Sequence, residues 1–241
     1  PEHGEEFSDG HMSGKDEYYN RAKQEGYRAR SAYKLEQLDE EAGLIGPEDA
    51  VLDLGAAPGG WLQVASERTE GPVIGVDRRR IDPIDGVETI RGDLTEAETR
   101  EVIRERVGGG DREESEAGDD ASRPVDVVLS DMAPNMTGEY EVDHARSVHL
   151  ARQALEVARD LLAPGGDLAV KVFDGRDLDA FREEMEAEFE YVRTMRPEAS
   201  REASSEVYLV GKRRLTAPVR EGEEIEVTIE DVGAEGDGVA K

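Results

Sequence analysis

A short apolar run followed by a glycine-rich loop constrains this chain more than any other feature. The stretch is Val51-Leu52-Asp53-Leu54-Gly55-Ala56-Ala57-Pro58-Gly59-Gly60-Trp61. Residues 50–54 have the length and apolar character of a buried strand. The glycines allow a sharp turn and close approach by a ligand, and a helix after Pro58 would point its first amides into the loop. The stretch therefore predicts a ligand cradle at the carboxyl end of a strand.

The loop also limits the kind of ligand. No Gly-Lys-Ser/Thr follows it, which excludes a phosphate-binding loop, and the dinucleotide fingerprint G-x-G-x-x-G is absent. A cofactor that carries an adenosine but no phosphate fits better. S-adenosylmethionine is therefore the leading candidate.

Two later carboxylates are suited to an adenosine. Asp77 follows the predicted strand at residues 72–76, and a carboxylate there can accept hydrogen bonds from both ribose hydroxyls. Asp93 follows the predicted strand Val87–Arg91, close to where the adenine edge would lie. The alternatives are an ordinary turn cap for Asp77 and a helix N-cap for Asp93.

Strands and helices alternate along most of the chain, which predicts a Rossmann-like, doubly wound, mostly parallel α/β sheet. Helices are predicted at residues 15–41, 61–67, 96–107, 140–162 and 178–188. Further strands are predicted at residues 125–130, 167–173, 191–195 and 207–210.

The composition excludes several classes of protein. The chain has no cysteine, so it cannot form disulfides, cysteine-ligated zinc sites or a cysteine nucleophile. The net charge of -28, from 58 acidic and 30 basic residues, would repel nucleic acid at moderate salt. We interpret it as adaptation to molar salt, where the Debye length is about 3 Å. With no apolar run long enough to span a membrane, we expect a cytoplasmic protein that binds no membrane.

Two segments are locally basic. Residues 15–34 hold six basic and three acidic residues, interleaved with Tyr18, Tyr19, Tyr27 and Tyr33. Such a pattern suits RNA, because cations hold phosphates and aromatic rings stack on bases. The alternative is an amphipathic helix that packs its tyrosines. A second basic segment, with the same balance, covers residues 193–214.

Other polar residues fall at informative positions. Asp131 follows the predicted strand Val125–Ser130 and should face the ligand crevice. Lys171 interrupts an apolar strand, so it must pair, lose its proton or reach solvent at a sheet edge. His144 and His149 lie on a predicted helix without a matching ligand cluster, and we interpret them as ordinary helix residues.

Five stretches together resemble the FtsJ/RrmJ family of S-adenosylmethionine-dependent RNA ribose 2'-O-methyltransferases. They span about residues 15–212, most of the chain, and occur in the family's order. The stretches are Arg30-Ser31-Ala32-Tyr33-Lys34-Leu35, the loop from Asp53 to Trp61, Ser130-Asp131-Met132-Ala133-Pro134, Val170-Lys171-Val172-Phe173 and Ser204-Ser205-Glu206-Val207-Tyr208.

The resemblance implies a seven-stranded methyltransferase sheet and a site. The family's catalytic tetrad falls on Lys34, Asp131, Lys171 and Glu206. Its cofactor contacts fall on Gly59, Trp61, Asp77, Asp93 and Asp131. Lys171 would act as general base or orient the hydroxyl, and no metal is required. The expected substrate is a uridine of large-subunit (23S) ribosomal RNA, modified by a monomeric enzyme.

Alternatives within RNA biology remain. A transfer RNA ribose methyltransferase would carry the same tetrad, and a non-catalytic RNA-binding module is the alternative from another class. A cytosine-C5 methyltransferase is excluded because it needs a cysteine. An adenine-N6 methyltransferase would carry Asn/Asp-Pro-Pro-Tyr/Phe, and a small-molecule methyltransferase would not need the basic segments.

The predicted domain organisation has three parts. Residues 1–14 form a flexible extension, and residues 15–212 form the methyltransferase domain with an acidic, glycine-rich insertion at 108–123. In residues 213–241, Ile225, Val227 and Ile229 alternate with polar residues, as in a half-buried strand. This tail resembles the start of an RNA-binding TRAM β-barrel, which archaeal members of the family carry.

Overall fold

The computed structural model describes residues 14–94, 96–108, 125–201, 203–215, 229–232 and 238–240. The helices are α1 (Gly14–Glu25), α2 (Ala32–Ala42), α3 (Gly60–Arg68), α4 (Ala97–Gly108), α5 (Tyr140–Leu161) and α6 (Leu178–Glu186). The strands are β1 (Val51–Leu54), β2 (Val73–Asp77), β3 (Val87–Arg91), β4 (Val125–Ser130), β5 (Leu162–Phe173), β6 (Phe189–Met195), β7 (Glu206–Arg214), β8 (Ile229–Val232) and β9 (Gly238–Ala240).

Seven of these strands form one twisted sheet in the order β3-β2-β1-β4-β5-β7-β6. The pairs from β3 to β5 are parallel, and β7 runs antiparallel to both β5 and β6. Parallel strands need crossovers, and helices supply them here. The prediction of a doubly wound, mostly parallel sheet is confirmed.

Alternation along the strands builds two apolar layers, one on each face of the sheet. Leu52 and Leu54 pack with α5 and α6 on one face, whereas Val51 packs with α2 and α3 on the other. The same alternation places Tyr208 of β7 in the α2 layer, while Leu209 lies in the α5 layer. Side chains that share a face with Tyr208 can therefore meet residues of α2.

The single helix predicted for residues 15–41 is wrong, because the chain breaks between α1 and α2. Gly26 adopts a φ of 86°, and the Tyr27 N–H donates to the Ala22 carbonyl at 2.8 Å, which ends α1. Trp61 Nε1 then donates to the Ser31 carbonyl at 2.7 Å, just before α2 begins. The helical spacing of the tyrosines continues from α1 into α2. Helical periodicity in the sequence therefore gives no sign of the break between the two helices.

The tail is described only in part. β8 and β9 form a two-stranded antiparallel sheet, and the predicted barrel is not confirmed. Residues 109–123 of the predicted insertion, and most of the strand predicted around Val227, lie outside the described residues. Among the residues that are described, no helix has both the length and the apolarity to cross a membrane.

Candidate active site

A cavity of about 840 Å³ opens at the carboxyl ends of the parallel strands. In the strand order, successive crossovers lead from β1 towards β3 on one side and from β4 towards β5 on the other. Ligands of open α/β sheets bind at such a reversal, because the loops on its two sides leave in opposite directions. The loop after β1, the ends of β2 and β4, and α5 supply the walls.

The loop between β1 and α3 is as tight as its glycines predict. Gly55 has a φ of 74°, and a Cβ there would lie 2.4 Å from Met132 Cγ. Its N–H donates to the Val76 carbonyl at 2.8 Å. Glycine is therefore required both by the left-handed backbone and by the close approach of the chain that follows β4.

Most of the predicted cofactor residues are brought to the cavity. Gly59 is the exception, because it caps α3 with a φ of 110° and a Cβ there would face Ile84 and Arg28 instead. Its neighbour Gly60 lies on the cavity wall. The other predicted residues also line the wall: Trp61, Asp77, Asp93 and Asp131.

Arg28 fixes the outer side of this loop. Its guanidinium donates to the carbonyls of Pro58 (3.3 Å), Asp82 (2.6 Å) and Pro83 (2.6 Å). The fork geometry of arginine suits such simultaneous contacts, which lysine cannot reproduce. Arg28 therefore ties the segment before α2 to the cofactor loop and to the chain after β2.

Asp77 is both a turn-capping residue and part of the cavity wall. Its Oδ1 accepts from the Arg79 N–H at 2.7 Å, and its Oδ2 accepts from the Ala57 N–H at 3.0 Å. A carboxylate offers about four lone-pair directions, so further acceptor capacity remains for a ligand hydroxyl. Asp93, farther along the wall, lies 3.9 Å from Arg78 Nη1.

Asp53, on β1, is a buried carboxylate that lines the cavity. The residue is 1% exposed, and its Oδ2 has no hydrogen-bond partner among the described residues. Burial raises the pKa of its carboxyl well above the usual range, and nearby Asp131 and Asp77 raise it further. An unpaired acid in this position is costly in the absence of a ligand.

One face of α5 forms the opposite wall. Four residues at helical spacing contribute to it: Arg146, His149, Leu150 and Gln153. The sequence analysis treated His149 as an ordinary helix residue, and the structure places it on the cavity wall. The spacing of these residues would have indicated a shared face, but nothing in the pattern indicates that this face borders a ligand.

Lys171 and Tyr208 both contact Asp131, which lies on the cavity wall. Lys171 is 8% exposed on an interior strand, so the sheet-edge alternative is wrong. Its Nζ lies 2.9 Å from Asp131 Oδ1 and donates to the Asp131 carbonyl at 2.6 Å. The Tyr208 hydroxyl donates to the same Oδ1 at 2.6 Å. Tyr208 was not singled out from the sequence, although it lies two residues beyond Glu206 on the same strand.

Lys34 and Glu206 form a second pair beside the first. Lys34 Nζ lies 2.5 Å from Glu206 Oε1, and both side chains are nearly buried. The contact is an ion pair, and Glu206 Oε1 makes no hydrogen bond among the described residues. Lys34 Nζ also lies 5.9 Å from the centre of the Tyr208 ring. All four residues of the predicted tetrad are therefore brought to one region.

The charges around Asp131 keep it ionised. Burial alone would raise the pKa of its carboxyl, but the positive charges of Lys171 and Lys34 and the Tyr208 hydrogen bond outweigh burial and hold that pKa below its usual value. Burial and the Asp131 carboxylate raise the pKa of Tyr208, so its hydroxyl remains a donor. The cluster is thus a fixed carboxylate surrounded by donors.

Many residues of the two basic segments have contacts within the protein. The alternative that tyrosines pack is confirmed for Tyr33, which is 1% exposed and contacts the rings of Tyr18 and Tyr27. In the second segment, Lys212 pairs with Asp167, and Arg214 is buried against the Leu162 carbonyl. The number of basic and aromatic residues in these segments is therefore larger than the number free to contact RNA.

A seven-stranded sheet with one antiparallel strand, and a cavity at its topological reversal, define an α/β methyltransferase. The FtsJ-like methyltransferase family model matches residues 27–214, and the chain belongs to this family.

Relatives support the assignment over most of the chain. A "Ribosomal RNA large subunit methyltransferase E" from Haloarcula marismortui is 63% identical over 236 residues, covering 95% of this chain and 87% of that protein. The protein of the same name from Halorubrum lacusprofundi is 64% identical over 233 residues, covering 95% and 82%. A solved structure, described as a ribosomal RNA methyltransferase from Plasmodium falciparum, has a TM-score of 0.68 and 28% identity, covering 79% of this chain and all of the other.

Proposed function

We propose that this protein transfers a methyl group from S-adenosylmethionine to a ribose 2'-hydroxyl of RNA, with a uridine of large-subunit ribosomal RNA as the target. The observation that carries the proposal is the Lys171–Asp131 pair at the edge of a nucleoside-sized cavity, with Lys34–Glu206 beside it. The names of the relatives support the choice of RNA. A ribosomal substrate would also agree with a cytoplasmic, monomeric enzyme.

The residues around the cavity fit this cofactor. The volume lies within the range of small-molecule sites, about 300–1,000 Å³. Asp77 and Asp93 offer carboxylate acceptors for ribose hydroxyls and an adenine amino group. S-adenosylmethionine, when bound, supplies a methyl group on a sulfonium that a nucleophile can attack.

Lys171 is the residue we assign to the target hydroxyl. Its Nζ lies 2.9 Å from Asp131 Oδ1 and donates to the Asp131 carbonyl, so the amine is held at the cavity wall. There Lys171 would orient the 2'-oxygen and stabilise the negative charge that develops on it, while the hydroxyl proton passes to solvent. The alternative role of Lys171 is that of a general base, which accepts the hydroxyl proton itself. Lys34 and Glu206, paired with each other, would hold the ribose from the α2 side.

Positioning supplies a large share of such catalysis, because methyl transfer needs an in-line approach of the two reacting atoms. The four tetrad side chains come from α2, the loop after β4, β5 and β7. Lys171 and Glu206 lie on paired strands of the sheet, and Asp131 follows β4 directly, which suits this requirement.

The proposal is tested by methyl transfer to defined RNA. Purified enzyme and labelled S-adenosylmethionine would be incubated with large-subunit ribosomal RNA, with assembled large subunits and with transfer RNA, all from a strain lacking the protein. Label in the ribosomal RNA supports the proposal. Label in transfer RNA alone would select that alternative, and RNA binding without transfer would select a non-catalytic module.

A further inference from the structure

A second, smaller groove lies beside the cofactor cavity, between the chain after β2 and the edge strand β3. Its volume is about 240 Å³, below the range of small-molecule sites, about 300–1,000 Å³. Three arginines line it, Arg79, Arg80 and Arg91, together with Ile81 and Ile90. No aspartate or glutamate is among the described residues that line it, although the chain has 58 acidic residues. The groove is therefore a local concentration of positive charge with room for one small anionic group.

Much of the hydrogen-bonding capacity of these arginines is unused within the protein. Arg91 donates through Nε to the Arg78 carbonyl at 3.1 Å, and its two terminal nitrogens have no partner among the described residues. Arg80 is exposed and makes no hydrogen bond or ion pair with any described residue. Arg79 is anchored by Nη2, which donates to the Ala57 carbonyl at 2.9 Å. Guanidinium groups match the oxygens of a phosphate in charge and geometry, so the groove suits a phosphate group.

The acidic residue of the edge strand does not face this groove. Side chains alternate along β3, and Val87 packs in the layer with α2, whereas Ile90 packs in the layer with α5. Arg91 therefore projects on the α2 side of the sheet. Glu88 projects on the other side, where it pairs with Arg106 of α4. The charge of Arg91 is thus not neutralised by its own strand.

The register of the sheet relates this groove to the proposed catalytic lysine. One row of paired residues crosses the five parallel strands: Ile90, Val76, Leu54, Ser130 and Val170. Arg91 and Lys171 each follow a member of that row, on strands four spacings apart, roughly 19 Å. Lys171 also projects on the α2 side, because Tyr208, directly opposite it, packs in the α2 layer. Arg91 and Lys171 therefore share one face and one edge of the sheet, and the strand ends that wall the cofactor cavity lie between them.

We propose that the groove of Arg79, Arg80 and Arg91 binds a phosphodiester group of the substrate RNA, outside the nucleotide that is methylated. The inference rests on the proposed function, which supplies the RNA. A separation of roughly 19 Å is longer than one nucleotide, so the phosphate belongs to a neighbouring part of the RNA chain. This contact fixes the direction in which RNA crosses the cofactor cavity and thereby helps to select one ribose.

The experiment measures RNA affinity as a function of salt. The probe is the ribosomal RNA fragment that carries the label in the methyl-transfer experiment, and fluorescence anisotropy follows its binding between about 0.3 and 2 M KCl. Loss of one phosphate contact lowers the slope of log affinity against log salt by about 0.7 for a single strand. We expect Arg80→Gln to weaken binding by about 3- to 10-fold. The double variant Arg80→Gln/Arg91→Gln should weaken it further and lower the slope by about 0.7.

Two further variants separate this site from general charge effects. Arg106→Gln removes one positive charge from the opposite face of the sheet, and it should leave RNA affinity within about twofold. Arg80→Lys keeps the charge but loses the planar fork, so it should keep the salt slope while losing part of the affinity. All of these positions are exposed, and melting temperatures equal to the wild type would confirm that the variants are folded.

A phosphate group can also come from a free anion, so inorganic phosphate is titrated against wild-type protein and the double variant. The RNA fragment is also shortened stepwise towards the methylated nucleotide. We expect the effect of Arg80→Gln to vanish once the RNA no longer extends roughly 19 Å from that nucleotide. Phosphate binding that is lost in the double variant while RNA affinity is unchanged would assign the groove to a free anion and overturn the proposal.

Two other results would also overturn it: an equal loss in Arg106→Gln, or a loss in Arg80→Gln that persists with the shortest RNA. The outcome for the wild type keeps this inference separate from the proposed function. Wild-type protein that methylates RNA, with Arg80 and Arg91 variants that bind it equally well, would remove this inference alone. Wild-type protein that transfers no methyl group to any RNA would remove the proposed function and this inference with it.

Discussion

Lys171 and Tyr208 are opposite each other in the antiparallel pair of β5 and β7, and both reach the same oxygen of Asp131. Directly opposed residues of an antiparallel pair point to the same face. The register of two strands therefore sets the geometry of the cluster. Asp131, which lines the cavity, is therefore held by donors from two neighbouring strands.

Replacement of Lys171 by alanine should abolish methyl transfer and leave cofactor affinity within about threefold, because Asp77, Asp93 and Asp53 remain on the wall. The matched control is Lys212→Ala, which breaks another buried Lys–Asp pair of the same sheet, with Asp167, away from the cavity. That variant should lose stability but keep its turnover per folded molecule. Transfer rates and calorimetry of both variants would check this. Near wild-type turnover of Lys171→Ala would remove Lys171 from the chemistry.

Replacement of Tyr208 by phenylalanine should change the pH dependence of turnover. The hydroxyl is one of the donors that hold the pKa of Asp131 down. Without it that pKa rises, so the acidic limb of the rate profile should move to higher pH, with turnover reduced by about 3- to 10-fold near neutrality. A profile that superimposes on the wild type would show that this hydrogen bond does not tune Asp131.

Replacement of Asp53 by asparagine should stabilise the ligand-free protein at neutral pH. A carboxyl whose pKa is raised on folding binds protons more tightly in the folded state. The free-energy cost of burying this carboxyl therefore grows with pH. The growth starts near its pKa in the unfolded chain, about 3.9, and continues towards its higher pKa in the folded protein. We expect a gain of about 1–3 kcal/mol at pH 7 that disappears near pH 4.

Thermal melts across pH check the sign of the Asp53 effect. Asp126→Asn is the control, because its side chain keeps an acceptor for the Ala50 N–H, at 2.8 Å from Asp126 Oδ2 in the structure. Destabilisation of Asp53→Asn at pH 7 would contradict the account.

Replacement of Arg28 by lysine should loosen the cofactor loop. Lysine cannot make three carbonyl contacts at once, so we expect a loss of about 1–3 kcal/mol in stability and weaker cofactor binding. Lys23→Ala, an exposed change in the same basic segment, should lie within about 0.5 kcal/mol of the wild type. Denaturant melts compare the two, and equal stabilities would show that the Arg28 contacts contribute little.

The acidic surface predicts a salt response. With a net charge of -28, self-repulsion weakens as the Debye length falls to about 3 Å at 1 M salt. The melting temperature should therefore rise between 0.1 and 2 M KCl. A melting temperature that falls over this range would contradict adaptation to molar salt.

Strand periodicity predicted the sheet, and the strand-end carboxylates predicted residues that the structure places on the cavity wall. The grouping of Lys34 and Glu206 with Asp131 and Lys171 came from the family resemblance. Val87–Arg91 and Val125–Ser130 match β3 and β4 residue by residue, because turn-forming residues bound both segments. The roles of Arg28 and Arg214 could not be predicted, since a guanidinium that binds carbonyls within the protein looks the same in sequence as one that meets RNA. Tyr208 was missed because its contact with Asp131 depends on the pairing of β5 with β7.

The central claim is that the methyl group goes to a ribose oxygen. The most direct measurement is alkaline hydrolysis of ribosomal RNA labelled by the enzyme, because a 2'-O-methyl group blocks cleavage of the adjacent phosphodiester bond. We predict that the label appears in an alkali-resistant dinucleotide with uridine at its 5' side. Label recovered in mononucleotides would place the methyl group on a base and contradict the account.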